Sequence, residues 1–171
     1  MHACCAPCSL KCVESLRGEG LEPVMFWFNP NIHPLKEYKE RRAALTEFCR
    51  EERLELVVHG EYGLREFIAG TYPDFDNRCD FCYETRLFET AKYAAENGFT
   101  HFSTTLLISP YQKHERISEI ACKAAELYRV EFLYRDFRPL FREGQAAARE
   151  RGIYRQKYCG CVFSEEERYG G

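Results

Sequence analysis

Three groups of closely spaced cysteines are the residues of this sequence best suited to chemistry. They are Cys4, Cys5 and Cys8 near the start, Cys79 and Cys82 in the middle, and Cys159 and Cys161 near the end. Each group places two or more thiolates within a few residues, as metal chelation requires. A tetrahedral zinc or an iron–sulfur cluster takes four ligands, so seven thiols exceed the needs of one centre. Either some thiols are idle or two metals lie side by side, and the ligand types favour iron–sulfur over zinc.

Composition sets the context for these thiols. The chain has 171 residues, 45% of them hydrophobic and 30% charged, which is typical of a globular protein and argues against disorder. A net charge of -3 excludes a generic polyanion binder. The sequence contains no apolar run long enough for a membrane span and no secretory signal, so we expect a cytoplasmic protein whose ten cysteines bind metal rather than form disulfides. Outside the three groups, Cys12, Cys49 and Cys122 are expected to pack in apolar positions.

Two polar residues are candidates for a role beside the cysteines. Asp136 directly follows a predicted strand, where a carboxylate can ligate a hard iron or zinc ion. The alternative for Asp136 is an ion pair with Arg135 or Arg138. His33 is a candidate proton donor because an unperturbed imidazole titrates near neutrality. The alternative for His33 is a loop histidine whose hydrogen bonds are satisfied.

A basic segment precedes the last cysteine pair. From Arg135 to Lys157 there are seven basic and three acidic residues. Such a segment could contact phosphates, although a solvated helix face has the same composition. If nucleic acid binds here, the residues expected to hold its phosphates are Arg149, Arg151, Arg155 and Lys157.

The elements that position these residues alternate between strand and helix. Strands are predicted at 24–28, 54–58, 102–107 and 130–134, and helices at 35–53, 64–69, 83–97 and 117–128, with turns over 70–80. This alternation indicates one α/β domain over residues 1–171, with a mostly parallel sheet covered by helices on both faces. The loops that begin at Asn29, Ser109 and Asp136 all follow strands, so they should lie along one edge of the sheet.

Several of these motifs, in this order, resemble the QueH-type epoxyqueuosine reductases. The motifs are His2-x-Cys4-Cys5-Ala6-Pro7-Cys8, Asn29-Pro30-Asn31-Ile32-His33-Pro34, Arg78-Cys79-x-x-Cys82-Tyr83, Ser103-Thr104-Thr105-Leu106 and Tyr154-Arg155-Gln156-x-Tyr158-Cys159-Gly160-Cys161. The combination is specific and spans nearly the whole chain. It implies a Rossmann-like fold similar to the adenine nucleotide alpha-hydrolase-like group. Members of the family usually carry a short apolar strand before the first cysteines, so the first strand is expected to be truncated here.

The resemblance also implies a reaction and its cofactors. The family reduces the epoxide of epoxyqueuosine in the tRNA anticodon loop to the alkene of queuosine, a step that needs two electrons and two protons. It implies a [4Fe–4S] cluster and an adjacent iron ion, held by the seven grouped cysteines and by an aspartate, for which Asp136 is the candidate. An iron–sulfur cluster delivers electrons singly, and an iron ion can act as a Lewis acid. The expected partners are the tRNA anticodon stem-loop and an electron donor such as a ferredoxin or flavodoxin.

Two other functions remain open from the residues. One is a zinc-stabilised RNA-binding module without catalysis. The other is a thiol–disulfide reductase built on the adjacent Cys4 and Cys5.

Overall fold

Seven α-helices pack around four short parallel strands in the computed structural model, which describes all 171 residues. The helices are α1 (Ala6–Gly18), α2 (Leu35–Glu52), α3 (Leu64–Thr71), α4 (Arg78–Glu96), α5 (His114–Tyr128), α6 (Phe141–Glu150) and α7 (Val162–Tyr169). The strands are β1 (Met25–Trp27), β2 (Leu56–Val58), β3 (His101–Phe102) and β4 (Glu131–Phe132). Two 3-10 helices cover Thr105–Ile108 and Arg138–Leu140. The protein is therefore mixed α/β and mostly helical, and none of its helices could cross a membrane.

The strands form two separate two-stranded sheets. β1 pairs in parallel with β2, and α2 crosses between them. β3 pairs in parallel with β4, and α5 makes that crossing. The expected parallel pairing is confirmed within each sheet. The expected continuous, Rossmann-like sheet is not formed, because no regular strand lies between the two pairs.

A three-residue segment, Met1–Ala3, lies between the two sheets. His2 forms isolated parallel bridges with Phe26 on one side and Thr104 on the other. The amide of His2 donates to the carbonyl of Ser103 at 2.8 Å, and the amide of Ala3 donates to that of Phe26 at 2.9 Å. The position between the two sheets is thus occupied by these three residues.

The helices that carry the first two cysteine groups begin at positions that the sequence did not predict. No helix was predicted over residues 6–18, yet α1 begins just after Cys5, with Pro7 in its first turn, where the missing amide costs no hydrogen bond. α4 begins at Arg78 rather than near residue 83, so the predicted turn over 70–80 ends earlier. Cys79 and Cys82 therefore lie one turn apart on the same face of α4.

The third and fourth strands are shorter than predicted. β3 ends at Phe102 because the next residues turn into the 3-10 helix, whose N-terminus is capped by the side chain of Thr104. The Thr104 hydroxyl accepts from the Leu106 amide at 3.1 Å, and this bond directs the chain away from the strand. Strand β4 likewise covers only two residues.

Two large apolar clusters and a third of three buried residues form the core, and α1 contributes to both large clusters. One cluster contains Leu16 of α1, and the other contains Leu10. The expectation that Cys12 and Cys49 pack in apolar surroundings is confirmed, since both are buried. For Cys122 it is wrong, because that side chain lies on the exposed face of α5.

Asn29 tests how far the fold depends on the central segment. Its side-chain amide donates to the Ala3 carbonyl at 2.9 Å, and its side-chain oxygen faces Nε2 of His2 at 3.2 Å. Asn29→Ala would leave both buried groups unpaired, so we expect the free energy of unfolding to fall by about 2–4 kcal/mol in urea titration. Asn97→Ala is the control, because Asn97 is exposed and should change it by less than about 0.5 kcal/mol. Equal effects of the two substitutions would contradict this role.

Candidate metal centre

A cavity of about 560 Å³ is lined by five of the seven grouped cysteines, with at least one from each group, while Cys5 and Cys82 are buried behind the lining. Its lining includes Cys4, Cys8, Cys79, Cys159 and Cys161. The cavity lies where three helices begin, because α1, α4 and α7 each start within or beside a cysteine group. Helix N-termini carry partial positive charge from unpaired amides, which favours thiolates at these positions.

The first group forms a compact triad. The Sγ atoms of Cys4, Cys5 and Cys8 all lie within 4.8 Å of one another, and those of Cys4 and Cys5 are 3.8 Å apart. Hydrogen bonds from Cys5 and Cys8 hold the pKa of Cys4 well below its usual range. The pKa values of Cys5 and Cys8 are raised by those same bonds and by burial. Three soft sulfur atoms at this separation could hold one metal ion.

The other two groups lie at the start of α4 and in the loop before α7. Cys82 is buried, and burial raises its pKa to about 12, with the nearby Cys159, Cys161 and Cys79 adding to the shift. Gly160 between the last two cysteines has φ +148, a conformation that side-chain-bearing residues rarely adopt. The other three thiols thus lie close enough to Cys82 to affect its pKa, as expected for groups near one site.

Arg41 fastens the Cys159–Cys161 loop to α2. Its guanidinium donates to the carbonyls of Cys159 and Tyr158 at 2.9 and 3.0 Å and is paired with Glu37 at 2.6 Å. A Cβ atom at Gly160 would lie 3.3 Å from Arg41 Nη1, so the loop passes close to this side chain. Because Arg41 is 1% exposed, it is not available as a surface contact for nucleic acid.

Three further residues donate to the sulfur atoms, and two of them, Gln112 and Arg86, lie outside the sequence motifs. Gln112 Nε2 lies 3.2 Å from Cys159 Sγ, and Gln156 Nε2 lies 3.7 Å from Cys8 Sγ. Arg86 Nη2 lies 3.0 Å from Cys82 Sγ. Arg86 had a local signal, since it follows Cys82 by four residues and so shares its helix face. Gln156 belongs to the motif of the last cysteine pair, whereas Gln112 had no signal in the sequence.

His33 lies outside the set of residues that line the cavity. Its Nε2 is 3.0 Å from the Pro30 carbonyl, and its Nδ1 accepts from the Val162 amide at 3.3 Å. Burial lowers its pKa to about 4, so the ring is neutral near pH 7. Its backbone amide also donates to the Gly160 carbonyl at 2.7 Å. The contacts of His33 thus tie the Asn29 loop to the last cysteine pair.

Asp136 also lies outside the lining residues. Its carboxylate accepts two hydrogen bonds from the Arg138 guanidinium, at 2.7 and 2.8 Å. This pairing lowers the pKa of Asp136 to about 2, so the carboxylate is ionised at neutral pH. The structure therefore places the ion-pair partner anticipated from the sequence beside Asp136 and brings none of the cysteines into contact with it.

Three of the seven cations of the basic segment, Arg135, Arg138 and Arg151, are paired with carboxylates, whereas Arg142, Arg149 and Arg155 form no ion pair. Arg135 pairs with Glu19, and Arg151 pairs with both Glu51 and Glu52. Lys157, by contrast, has no carboxylate partner and lines the cavity.

An α/β fold with a thiol-rich cavity at its helix N-termini defines a candidate metal-binding protein. The family model described as Epoxyqueuosine reductase QueH matches residues 1–167. Relatives described as Epoxyqueuosine reductase QueH are 36% identical in Dehalococcoides mccartyi, covering 99% of this chain and 93% of the relative, and 38% identical in Thermotoga maritima, covering 98% and 90%. A third, from Acinetobacter baylyi, is 34% identical and covers 96% and 78%. The chain belongs to the QueH family of epoxyqueuosine reductases.

Family membership decides between the functions that the residues left open. It makes the chain an oxidoreductase enzyme of queuosine biosynthesis, in agreement with the resemblance of its motifs. The zinc-stabilised module without catalysis and the thiol–disulfide reductase are therefore set aside.

The pKa of His33 predicts a pH dependence of stability. Its folded pKa, about 4, lies below the unfolded value near 6.5, so the unfolded chain binds the proton more readily. Stability that is present above pH 6.5 is thus lost as the pH falls toward 4, by up to about 3 kcal/mol. Urea unfolding of the metal-free protein at pH 7.0 and 4.5 should show a smaller loss for His33→Gln than for the wild type. Equal losses would mean that His33 does not contribute to this dependence.

Proposed function

We propose that this chain reduces epoxyqueuosine in tRNA with a [4Fe–4S] cluster and an adjacent iron ion held in the cysteine-lined cavity. The observation that carries the proposal is the convergence of thiols from three distant segments on one cavity, in a chain of this family. Residues 1–171 serve as one reductase domain, because α1 packs in both large core clusters.

The donor set fits this pair of centres. A cluster takes four thiolates, and the chain supplies seven grouped cysteines, enough for the cluster with soft ligands left for a neighbouring ion. Side-chain nitrogens of Arg86, Gln112 and Gln156 lie within hydrogen-bond distance of sulfur atoms. Such bonds are among the features by which proteins tune iron–sulfur clusters.

The reaction converts the epoxide to an alkene and water, consuming two electrons and two protons. When bound, the cluster would supply the electrons singly and the iron ion would act as a Lewis acid. An external carrier such as a ferredoxin or flavodoxin would deliver the electrons. Tyr83 lines the cavity, and its hydroxyl donates to Gln112 Oε1 at 2.7 Å. Burial raises the pKa of Tyr83, so it keeps its proton beside the substrate at neutral pH. His33 contributes by holding the last cysteine pair in place.

Metal analysis and turnover test the proposed centres directly. Protein reconstituted without oxygen should contain about five irons and four sulfides, and its absorption should bleach under dithionite. The same sample should convert epoxyqueuosine-containing tRNA when given a reductant. Stoichiometric zinc without sulfide would contradict the cluster, and full turnover by metal-free protein would contradict the need for it.

Asp136 is the proposed oxygen ligand of the additional iron. Its position after β4 and its ionised carboxylate support this role, and ligation requires the carboxylate to exchange Arg138 for the metal. Asp136→Ala should keep the absorption of the cluster but lose one iron and most activity, measured by iron analysis and single-turnover assays. Arg138→Ala is the matched control: it breaks the same ion pair, keeps the carboxylate and should retain all the iron. Five irons and full activity in Asp136→Ala would show that another residue fills this position.

The rim of the cavity is the proposed contact for the anticodon stem-loop. The residues that line the cavity include five cationic side chains and one carboxylate, in a chain of net charge -3. Lys113 and Lys157 are exposed cations of this rim. Tyr111 also lies at the rim, 84% exposed, and packs edge-on against Phe141. An exposed ring between cations can stack on an unpaired base while the cations hold phosphates.

Salt-dependent tRNA binding tests this rim. Lys157→Ala should weaken binding and flatten the plot of log affinity against log salt by roughly 0.7–0.9, because one phosphate contact is lost. Tyr111→Ala should weaken binding with little change of that slope, because stacking releases no counterions. Arg151→Ala is the control, since its guanidinium is already paired with Glu51 and Glu52. If only Arg151→Ala changed the slope, the basic segment rather than the rim would carry the RNA.

A further inference from the structure

Arg86 is a buried cation without a carboxylate partner. It lies on α4 one turn after Cys82 and is 2% exposed. Its Nε donates to the Cys82 carbonyl at 3.0 Å, and its Nη2 lies 3.0 Å from Cys82 Sγ. Its guanidinium carbon is 5.9 Å from the centroid of the Tyr83 ring. A guanidinium stays charged in proteins, so burying it without an opposing charge is strongly unfavourable.

Arg41 shows how this chain otherwise treats a buried guanidinium. Arg41 is 1% exposed, and its Nε is 2.6 Å from a carboxylate oxygen of Glu37. Its remaining donors reach two backbone carbonyls. Arg86 instead has a sulfur atom, Cys82 Sγ, as its side-chain partner.

We propose that Arg86 is the counter-ion of the metal–thiolate centre, holding its negative charge in a buried site and favouring its reduced state. This inference rests on the proposed metal centre and adds a residue outside the cysteine motifs. Arg86 lines the same cavity as Cys4 and Cys159, so its charge faces thiols from all three groups. Arg86 acts through Cys82 and the metal centre rather than on the substrate, so it is a positioning residue and not a catalytic one.

The sign of the effect follows from electrostatics. One-electron reduction adds a negative charge to a cluster, and a fixed cation nearby stabilises that product more than the oxidised form. Net charge and hydrogen bonds to sulfur are among the features that set cluster potentials. Removing the cation should therefore make the cluster harder to reduce.

The test compares Arg86→Met, Arg86→Lys and a control, Arg116→Met. Arg116 belongs to the adjacent α5, and its charge is already offset by Asp80 at 2.9 Å. Each reconstituted protein is titrated with reductant while its spectrum is followed, and its iron, sulfide and thermal unfolding are measured with and without metal. Arg86→Met should lower the equilibrium constant for one-electron reduction about tenfold, which is about 59 mV. Arg86→Lys and Arg116→Met should stay within about threefold of the wild type.

Unfolding supplies a readout that a merely structural role would not move in the same way. Without metal, Arg86→Met should raise the midpoint of thermal unfolding, because an uncompensated cation has been removed. The increase of this midpoint on metal binding should be smaller in Arg86→Met than in the wild type. A midpoint lowered equally in both states would overturn the proposal.

The remaining outcomes also decide the matter. If Arg86→Met does not retain its cluster, Arg86→Lys carries the test, and a tenfold change in that variant would show that geometry rather than charge matters. An unchanged potential in an intact Arg86→Met protein would overturn the proposal as well. Failure of the metal centre itself is recognised separately, because wild-type protein would then contain no iron and sulfide.

Discussion

Backbone hydrogen bonds from Met1–Ala3 hold the two sheets of this protein side by side. The amide of His2 donates to one sheet and that of Ala3 to the other. The side chain of Asn29 bonds both residues of this segment. Burial lowers the pKa of His2 to about 3, so its ring stays neutral and can bond both Thr104 and Asn29. Because Cys4 and Cys5 follow directly, the geometry of this short segment determines where the first thiols enter the cavity.

The cavity in turn combines two kinds of positive potential around its sulfur atoms. One comes from the first turns of α1, α4 and α7, which begin within or beside the cysteine groups. The other comes from buried guanidinium groups, of which Arg86 faces the thiols and Arg41 braces the loop that carries Cys159. A chain with a net charge of -3 thus keeps a locally positive site around its sulfur atoms.

Local pattern predicted much of this arrangement. The apolar run at β1 and the amphipathic pattern of α2 predicted the ends of both elements to within two residues. Both signals depend only on residues that are neighbours in the chain. The cysteine groups predicted a metal site for the same reason, because their spacing is itself the chelating feature. Where a capping hydroxyl redirected the chain, as Thr104 does after β3, the predicted strand proved too long.

Contacts between distant residues were beyond such patterns. Gln112 and Cys159 are far apart in the chain, and nothing in the sequence around either residue indicates their contact. The first turn of α1 was missed because Cys5-Ala6-Pro7-Cys8 suggests a chelating loop, although proline is favoured where a helix begins. The role of Arg41 also lies beyond local pattern, since only the tertiary fold brings the carbonyls of residues 158 and 159 against it.

The wide separation of the three cysteine groups has a consequence for the life of the protein. A centre bound by thiols from the beginning, middle and end of the chain joins them as a cross-link would, closing long loops and restricting the unfolded ensemble. Binding that stabilises only the folded state also suppresses the partial openings through which proteases act. For the proposed iron centre, loaded protein should therefore outlast empty protein, and the supply of iron would set how much enzyme accumulates as well as how much is active.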